Sequence, residues 1–427
     1  MRKTAALIMA GGRGARMDVL CHVRPKPALP FAGKFNVIDF TLSNCIYSDL
    51  NDIGILTDYQ RSRMGRYLGE WGLSNGMRTF QILEPETGSY KGTADAVFQN
   101  LPYLNRLDPQ SVLILAGDHV YRMGYRDMIA FHEETKADVT VGVTKVPIEE
   151  AHRFGTVRLS DGGDILEFVE KTRNPRSNLA SMGIYIFNRD ILAQRLAEDA
   201  VRPNSLHDFG YAIIPGMVGR DKVNAYEFTD YWRDIGTPQA YYAANMDLIR
   251  PQRRFSLDGT QPVVTQRLNL PPPYVSDRAV VVNSLVSPGC VIRGYVKNSI
   301  LSPGVLVDER AEVWDSVVMA NVRIGHHSVL DTCIVDEEVN MGESCYIGFG
   351  KALLARDDDI TVLGRGANVP SHTVIRRNCI VPPYVNVSGF GDNPVASGSI
   401  LLPHNAVREQ NSKERRERDE RESVYVA

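Results

Sequence analysis

From about Tyr274 the chain repeats itself, and that repetition limits the folds open to it. Small turn-like pairs recur at Asn283-Ser284, Asn298-Ser299, Asp315-Ser316 and Asp331-Thr332. Between them, apolar or small residues return near every sixth position: Val305, Ala311, Val317, then Val322, Ser328, Ile334. Ser-Pro-Gly occurs at 287–289 and again at 302–304. Three six-residue faces close one triangular turn, and each turn buries its inward residue on the next. The pattern therefore predicts a hexapeptide-repeat β-helix. A β-sandwich, the alternative, would need longer strands with strict alternation. Residues 348–362 break the repeat, and 363–388 resume it weakly.

The first 250 residues follow another rule. Ala5–Met9, Ile53–Thr57, Ser111–Ala116 and Val139–Val143 are apolar runs of strand length. Leu42 and Ile46 share a helix face, and Ala94, Val97, Leu101 and Leu104 form a helical stripe. Alternating strands and helices predict an α/β domain with a Rossmann-like, mostly parallel sheet. Ligands of such sheets lie beyond the carboxyl ends of the strands. Residues 251–274, with Pro262 and Pro271-Pro272-Pro273, read as a linker. The resulting division is 1–250, a linker over 251–274, a β-helix over 275–405 and a charged tail over 406–427. Glu414–Arg418 and Glu417–Arg421 have helical pair spacing, and the run reads as a solvated, partly disordered tail rather than a binding arm.

Composition narrows the function class. A length of 427 residues fits two or three domains, and a net charge of −3 gives no global field for nucleic acid or membrane. The six cysteines contain no Cys-x-x-Cys pair, which argues against zinc and disulfide scaffolds. The apolar run after Met1-Arg2-Lys3 stops at Gly11, short of a secretory core, and no stretch has membrane-span length. A cytoplasmic enzyme is the expectation.

The chemistry concentrates where the first strand ends. Ala5–Met9 opens into Ala10-Gly11-Gly12-Arg13-Gly14-Ala15-Arg16, and Arg24-Pro25-Lys26-Pro27 follows. Three glycines let backbone N–H groups approach an anion, and Arg13, Arg16, Arg24 and Lys26 add positive charge. This predicts a polyphosphate loop. It has neither the dinucleotide glycine spacing nor a P-loop Gly-Lys-Ser/Thr. Asp118 ends the strand Ser111–Ala116 through Gly117, and Asp234 lies in Tyr231-Trp232-Arg233-Asp234. Glu170-Lys171 closes the strand-like Ile165–Val169; the Lys can meet a sugar phosphate and the Glu sugar hydroxyls.

Together these segments resemble the sugar-1-phosphate nucleotidyltransferases. The carriers are Gly11-Gly12-Arg13-Gly14-x-Arg16, Lys26-Pro27, Leu115-Ala116-Gly117-Asp118 and Phe168-Val169-Glu170-Lys171. Gly92-Thr93-Ala94-Asp95-Ala96-Val97, Ser181-Met182-Gly183-Ile184-Tyr185, His207-Asp208-Phe209-Gly210 and Tyr231-Trp232-Arg233-Asp234 are similar to the branch that adenylylates glucose 1-phosphate. The likeness is dense from Ala5 to Leu248 and looser from 275 to about 350.

The resemblance implies a left-handed β-helix after the catalytic domain and a transfer from ATP to glucose 1-phosphate, giving ADP-glucose for glycogen- or starch-type glucan. Arg16 and Lys26 would hold the ATP phosphates, lined by Met9, Ala10, Gly11, Gly12 and Gly14. Tyr90, Gly92, Thr93 and Ala94 would approach the adenine end. Asp118 and Asp234 would bind Mg²⁺. Lys171 would hold the sugar phosphate, and Gly155, Glu170, Ser181, Tyr185, Asp208, Phe209 and Trp232 would shape the glucose pocket. Small-molecule effectors and a homotetramer are further implications.

The chain departs from the family at Ala15, where Thr or Ser is usual. It departs also at Asp58 (often Gln), at Ser89 (Trp in many bacterial members) and at Val23 (an activator-linked Lys in some). Three alternatives stay open: a transferase using UTP, dTTP or GTP, a non-catalytic regulatory subunit, and an acyltransferase in the β-helix using His326, His327 or His372.

Overall fold

A computed structural model describes residues 3–75, 80–86, 88–250, 255–258, 260–349, 359–387 and 394–401. The tail expected over 406–427 lies outside the described residues, as does most of the break expected over 348–362.

Besides a two-residue antiparallel pair at Pro30–Phe31 and Phe35–Asn36, the strands of the first domain are β1 (Thr4–Met9), β2 (Ile53–Leu56), β3 (Phe80–Leu83), β4 (Ser111–Ala116), β5 (His119–Tyr121), β6 (Val139–Lys145), β7 (Gly155–Leu159), β8 (Ile165–Glu170), β9 (Leu179–Asn188), β10 (Val223–Glu227) and β11 (Trp232–Asp234). Its longer helices are α1 (Ile38–Tyr47), α2 (Arg61–Asn75), α3 (Thr93–Gln99), α4 (Leu101–Leu107), α5 (Tyr125–Thr135), α6 (Arg189–Ala200) and α7 (Pro238–Met246).

Nine strands make one sheet in the order β8-β7-β9-β4-β1-β2-β3, with β6 joining β9 to β10. The half built on β4, β1, β2 and β3 is parallel, as the alternation predicts. Ala5–Ile8 and Val112–Leu115 are buried along their whole length, as strands covered on both faces must be. The other half turns antiparallel where the long strand β9 runs against β4, β6 and β7. The expected stripe from Ala94 to Leu104 is two helices, α3 and α4, joined at Asn100. Pro102 has no N–H for the carbonyl of Phe98, so the helix restarts rather than continues.

The second domain is a prism of three parallel six-stranded sheets. They run from Tyr274–Val275 to Asn368–Val369, from Val280–Val282 to Val374–Arg376, and from Leu285–Val286 to Ile380–Val381. Val305, Ala311 and Val322 pack in the prism's own core and Ser328 is buried, but Val317 and Ile334, expected to point inward as well, are buried against the first domain, and their neighbours Val318 and Val335 fill the core in their place. The repeated turn pairs work as ladders. Asn298 Nδ2 donates to Asp315 Oδ1 at 3.0 Å, and the Ser299 and Ser316 hydroxyls accept from Ser316 N and Cys333 N, each at 3.1 Å. The left-handed residues of these turns are Asn283, Asn298, Asp315 and Thr332, so the fourth turn is centred one residue later than its Asp331-Thr332 pair suggests. His327 and His372 also take left-handed turn positions.

The two domains share a core. Met17, Leu29, Phe31, Phe40 and Tyr241 pack in one cluster with Ile300, Val317, Met319 and Ile334. Residues between the domains lie against α1 and α2: Phe255 and Val263 are buried, and Val264 N donates to Ser43 Oγ at 2.8 Å.

Candidate active site

A cleft of about 420 Å³ opens at the carboxyl ends of β1 and β4. Met9, Gly11 and Gly12 line it from the loop after β1, and Tyr90, Gly92 and Thr93 from the start of α3. Asp118, Glu170, Lys171, Tyr185, Asp208 and Phe209 complete most of the wall. Residues remote in sequence and chosen from motifs alone thus meet around one cavity.

The glycine loop has two kinds of glycine. Gly11 and Gly12 face the cleft. Gly14 has φ 64° and caps a short helix over Ala15–Cys21, and a Cβ on it would lie 3.0 Å from Cys21 Sγ and 3.1 Å from Lys26 Cβ. Its work is to fold the loop back onto Lys26. Ala10 is fully buried behind the loop. Arg16 is solvent-exposed, yet its guanidinium reaches Gly236 beside Asp234. Arg13 lies over the Tyr59 ring at 5.7 Å. Arg24 does not belong to the cleft at all. It is fully buried between the domains, where its Nη2 donates to Asp336 Oδ1 at 2.7 Å and Glu337 Oε2 at 3.1 Å. The charge assigned to the phosphate loop at this position is spent on the β-helix.

The residues expected at the adenine end are held by the loop carrying Asp208. A Cβ on Gly92 would lie 2.3 Å from the His207 carbonyl oxygen, so only glycine permits this contact. That carbonyl accepts from Ala94 N at 2.8 Å, which places Ala94 in the wall's support rather than its lining. Thr93 Oγ1 donates to Asp208 Oδ2 at 2.9 Å, and Asp208 Oδ1 caps the next turn through Gly210 N and Tyr211 N. His207 is fixed in turn by Asp199, 2.8 Å from its Nδ1. Tyr90 N donates to Asp58 Oδ2 at 3.3 Å, and burial lifts the Tyr90 phenol to about 12. Asp58, noted above as a departure, thus puts a carboxylate in the cleft wall beside Tyr90.

On the other side, Lys171 Nζ lies 2.9 Å from Glu170 Oε1 and 5.6 Å from the Tyr211 ring centre. Gly155 and Gly210 leave room for the Glu170 carboxylate, which a Cβ on either would strike. Tyr185 stacks on Phe209 at 5.7 Å, and Ser181 Oγ lies 3.3 Å from the Tyr185 hydroxyl, behind the wall. Trp232 is also set back, between the rings of His119 at 5.1 Å and Phe154 at 5.3 Å.

Asp118 and Asp234 converge. Pairing of β5 with β11 sets Asp234 opposite His119, next to Asp118. Lys26 Nζ donates to Asp118 Oδ2 at 2.9 Å and Asp234 Oδ1 at 3.0 Å. Burial alone would raise the carboxyl of Asp234, but the charge and hydrogen bond of Lys26 together with the nearby His119 and Arg16 outweigh it and hold the group down at about 2. Asp118 is lowered by the same balance, and Lys26 is raised by its two partners against its own burial. Both acids are therefore ionised at neutral pH. Their hard oxygen donors suit Mg²⁺, which takes one or two carboxylates and completes its shell with phosphate oxygens and water. Among the described residues no group of three or more His, Cys, Asp or Glu is placed to hold a metal ion by itself. His119 Nε2, at 3.7 and 3.8 Å from the two acids, was not selected from the sequence, although it directly follows Asp118.

With this geometry in place, comparison with known proteins is informative. The nucleotidyl transferase family model matches residues 5–250, and a GlmU-like C-terminal hexapeptide model matches 274–358. A glucose-1-phosphate adenylyltransferase of Acetivibrio thermocellus is 42% identical over 417 residues, spanning 94% of this chain and 98% of the relative. The chain belongs to the nucleotidyl transferase family and, within it, to the glucose-1-phosphate adenylyltransferases. Its relative of the same description from Fervidobacterium nodosum is 39% identical over 94% of this chain and all of the relative. One from Bacillus cereus is 42% identical over 86% of this chain and 99% of the relative. Among the described residues no helix is long and apolar enough to cross a membrane.

Proposed function

We infer that the chain converts ATP and α-D-glucose 1-phosphate to ADP-glucose and pyrophosphate, the reaction that supplies activated glucose for glycogen-type synthesis. The observation carrying this reading is one cleft with a glycine loop at one wall, Glu170 and Lys171 at the other, and Asp118, linked through Lys26 to Asp234, between them.

The sugar phosphate oxygen attacks the α-phosphorus of ATP. The bond to the β-phosphate oxygen breaks, and pyrophosphate leaves with the electron pair. No side chain needs to form a covalent bond. The protein's task is to position two anions in line and to offset their repulsion. Gly11 and Gly12 offer backbone N–H groups to the triphosphate, with Arg16 and Lys26 as cations. Lys171 meets the sugar phosphate as a point charge, and Glu170 and Asp208 accept from sugar hydroxyls. Asp118 and Asp234 would hold Mg²⁺, which when bound withdraws charge from the attacked phosphate. Lys26, shared by both acids, is the cation placed to pass from them to the phosphates.

Residues 1–250 are the catalytic unit in this reading, 251–274 the connection and 275–405 the part that assembles a homotetramer and carries the response to small-molecule effectors. The exposed Tyr346 and Phe349 on the prism support an assembly face. The setting is cytoplasmic. A regulatory subunit without turnover is disfavoured because Arg16, Lys26, Asp118, Lys171 and Asp234 are all present.

Pyrophosphate release from glucose 1-phosphate, with ATP, UTP, dTTP and GTP in parallel, tests the proposal. ATP should lead, and Asp118→Asn should lower its turnover by about 10²–10³-fold, the scale of losing one transition-state contact. Preference for another nucleotide would reject the adenylyl assignment. Release insensitive to Asp118→Asn would reject the site.

A further inference from the structure

We propose that Arg153 is a further substrate-binding residue of this reaction, contacting the phosphate of glucose 1-phosphate opposite Lys171; this rests on the active-site reading above.

Three features place it there. First, Arg153 stands on the far side of Asp234 from Lys26. Its Nη2 is 3.8 Å from Asp234 Oδ2, whereas Lys26 takes Oδ1 at 3.0 Å. Second, it is tied to the sugar side. Arg153 ends the short helix Ala151–Arg153, and the next residue, Phe154, accepts from Lys171 N at 3.0 Å. Phe154 also packs on Trp232, 5.3 Å between ring centres. Arg153 is thus one residue from the backbone contact that fixes Lys171 and one carboxylate from the proposed metal pair. A sugar phosphate attacking the α-phosphorus must lie between those two points.

Third, the guanidinium is under-used. Arg153 Nη2 is buried and donates to no acceptor, and its other acid, Glu150, stands 3.8 Å from Nη1. Buried guanidinium N–H groups are costly without an acceptor, and a planar fork suits a phosphate better than a single distant carboxylate oxygen. Trp232 Nε1 and His119 Nδ1 are likewise buried without a partner in the same cluster. Arg153 differs from a mere support for Asp234 in that its contact there is long, beyond hydrogen-bond reach.

The test uses the full-length protein with Mg²⁺, assayed in the synthetic direction. Arg153→Gln should raise KM for glucose 1-phosphate about tenfold, the scale of one charge-assisted contact, with KM for ATP and kcat within about threefold. Arg153→Lys should recover part of the loss, because charge is retained but the fork is not. Unfolding midpoints of both variants give the control for folding. A fall in kcat with unchanged KM for glucose 1-phosphate would overturn the proposal and make Arg153 a positioning residue for Asp234. A rise confined to KM for ATP, or no change, would overturn it as well. Lys171→Gln is run alongside: if it too leaves KM for glucose 1-phosphate unchanged, the error lies in the placement of the sugar phosphate, not in Arg153 alone.

Discussion

Arg24 and Lys26 are two residues apart, on one proline-locked segment, and they do opposite work. Lys26 turns toward the cleft's Asp118 and is shared by Asp118 and Asp234. Arg24 points the other way, into a dry seam, and is shared by Asp336 and Glu337 of the β-helix. Unbroken extended backbone would put residues two apart on the same side; here Pro25 is extended but Lys26 opens a short helical turn, Lys26–Ala28, and that change of backbone direction separates the two side chains. One ion-pair centre adjoins substrate; the other joins domains. The difference lies in access. The acids around Lys26 border a cavity that must admit phosphates and exchange partners. Arg24 and Asp336 are fully buried, so that pair serves packing and orientation.

The sharpest way to break this comparison is to remove each cation in turn. Lys26→Met should lower turnover by about 10²–10³-fold. Its unfolding free energy should change by only about 1–2 kcal/mol, because His119 and Arg153 remain near the acids. Arg24→Met should do the reverse. Leaving Asp336 ionised and alone in the interior costs about 3–5 kcal/mol of stability. Glu337 keeps Arg63 and Arg365 as partners, so the loss should fall on Asp336. Adding Asp336→Leu to Arg24→Met should return most of the stability, since an apolar pair suits a dry seam. Chemical denaturation and initial rates on the four proteins decide it. If both single variants lose activity and stability together, the two centres are not separate.

The sequence disclosed the division of labour between domains better than this local division. Hexads and turn pairs are local patterns, and the Asn and Ser ladders are their direct expression, so the prism was legible from Asn283 onward. The parallel half of the sheet was legible from Ala5–Met9 and Ser111–Ala116 for the same reason. The antiparallel half was not, because β9 alternates no more clearly than its neighbours and its place depends on partners far along the chain. Pro102 was a visible signal for the break between α3 and α4, outweighed by the apolar stripe. At the site, motifs named most of the lining. Nothing near Arg24 says that its partner lies 312 residues away, and nothing near Arg153 says that it borders Asp234. Such assignments need the fold.

The smallest expected effect concerns protons, and it separates the two centres by sign. Burial raises Asp336 to about 6 against the pull of Arg24, with Glu337 adding repulsion. Asp234, under Lys26, is lowered to about 2. A carboxyl raised on folding adds stability that is full below its unfolded value, near 3.8, and lost as pH rises through about 6. One lowered on folding adds stability that is present above that value and lost only as pH falls toward 2. Between pH 4 and 7, then, wild type should lose stability relative to Asp336→Asn, by on the order of 2–3 kcal/mol in total. Relative to Asp234→Asn it should stay level over the same range. Asp336→Asn leaves Glu337 to hold Arg24, so the variant remains assayable. Denaturant midpoints at half-unit pH steps supply both difference curves. Two level curves would mean that Arg24 keeps Asp336 as ionised as Lys26 keeps Asp234. The seam would then be as well solvated as the cleft, and the contrast between the two centres would rest on position alone.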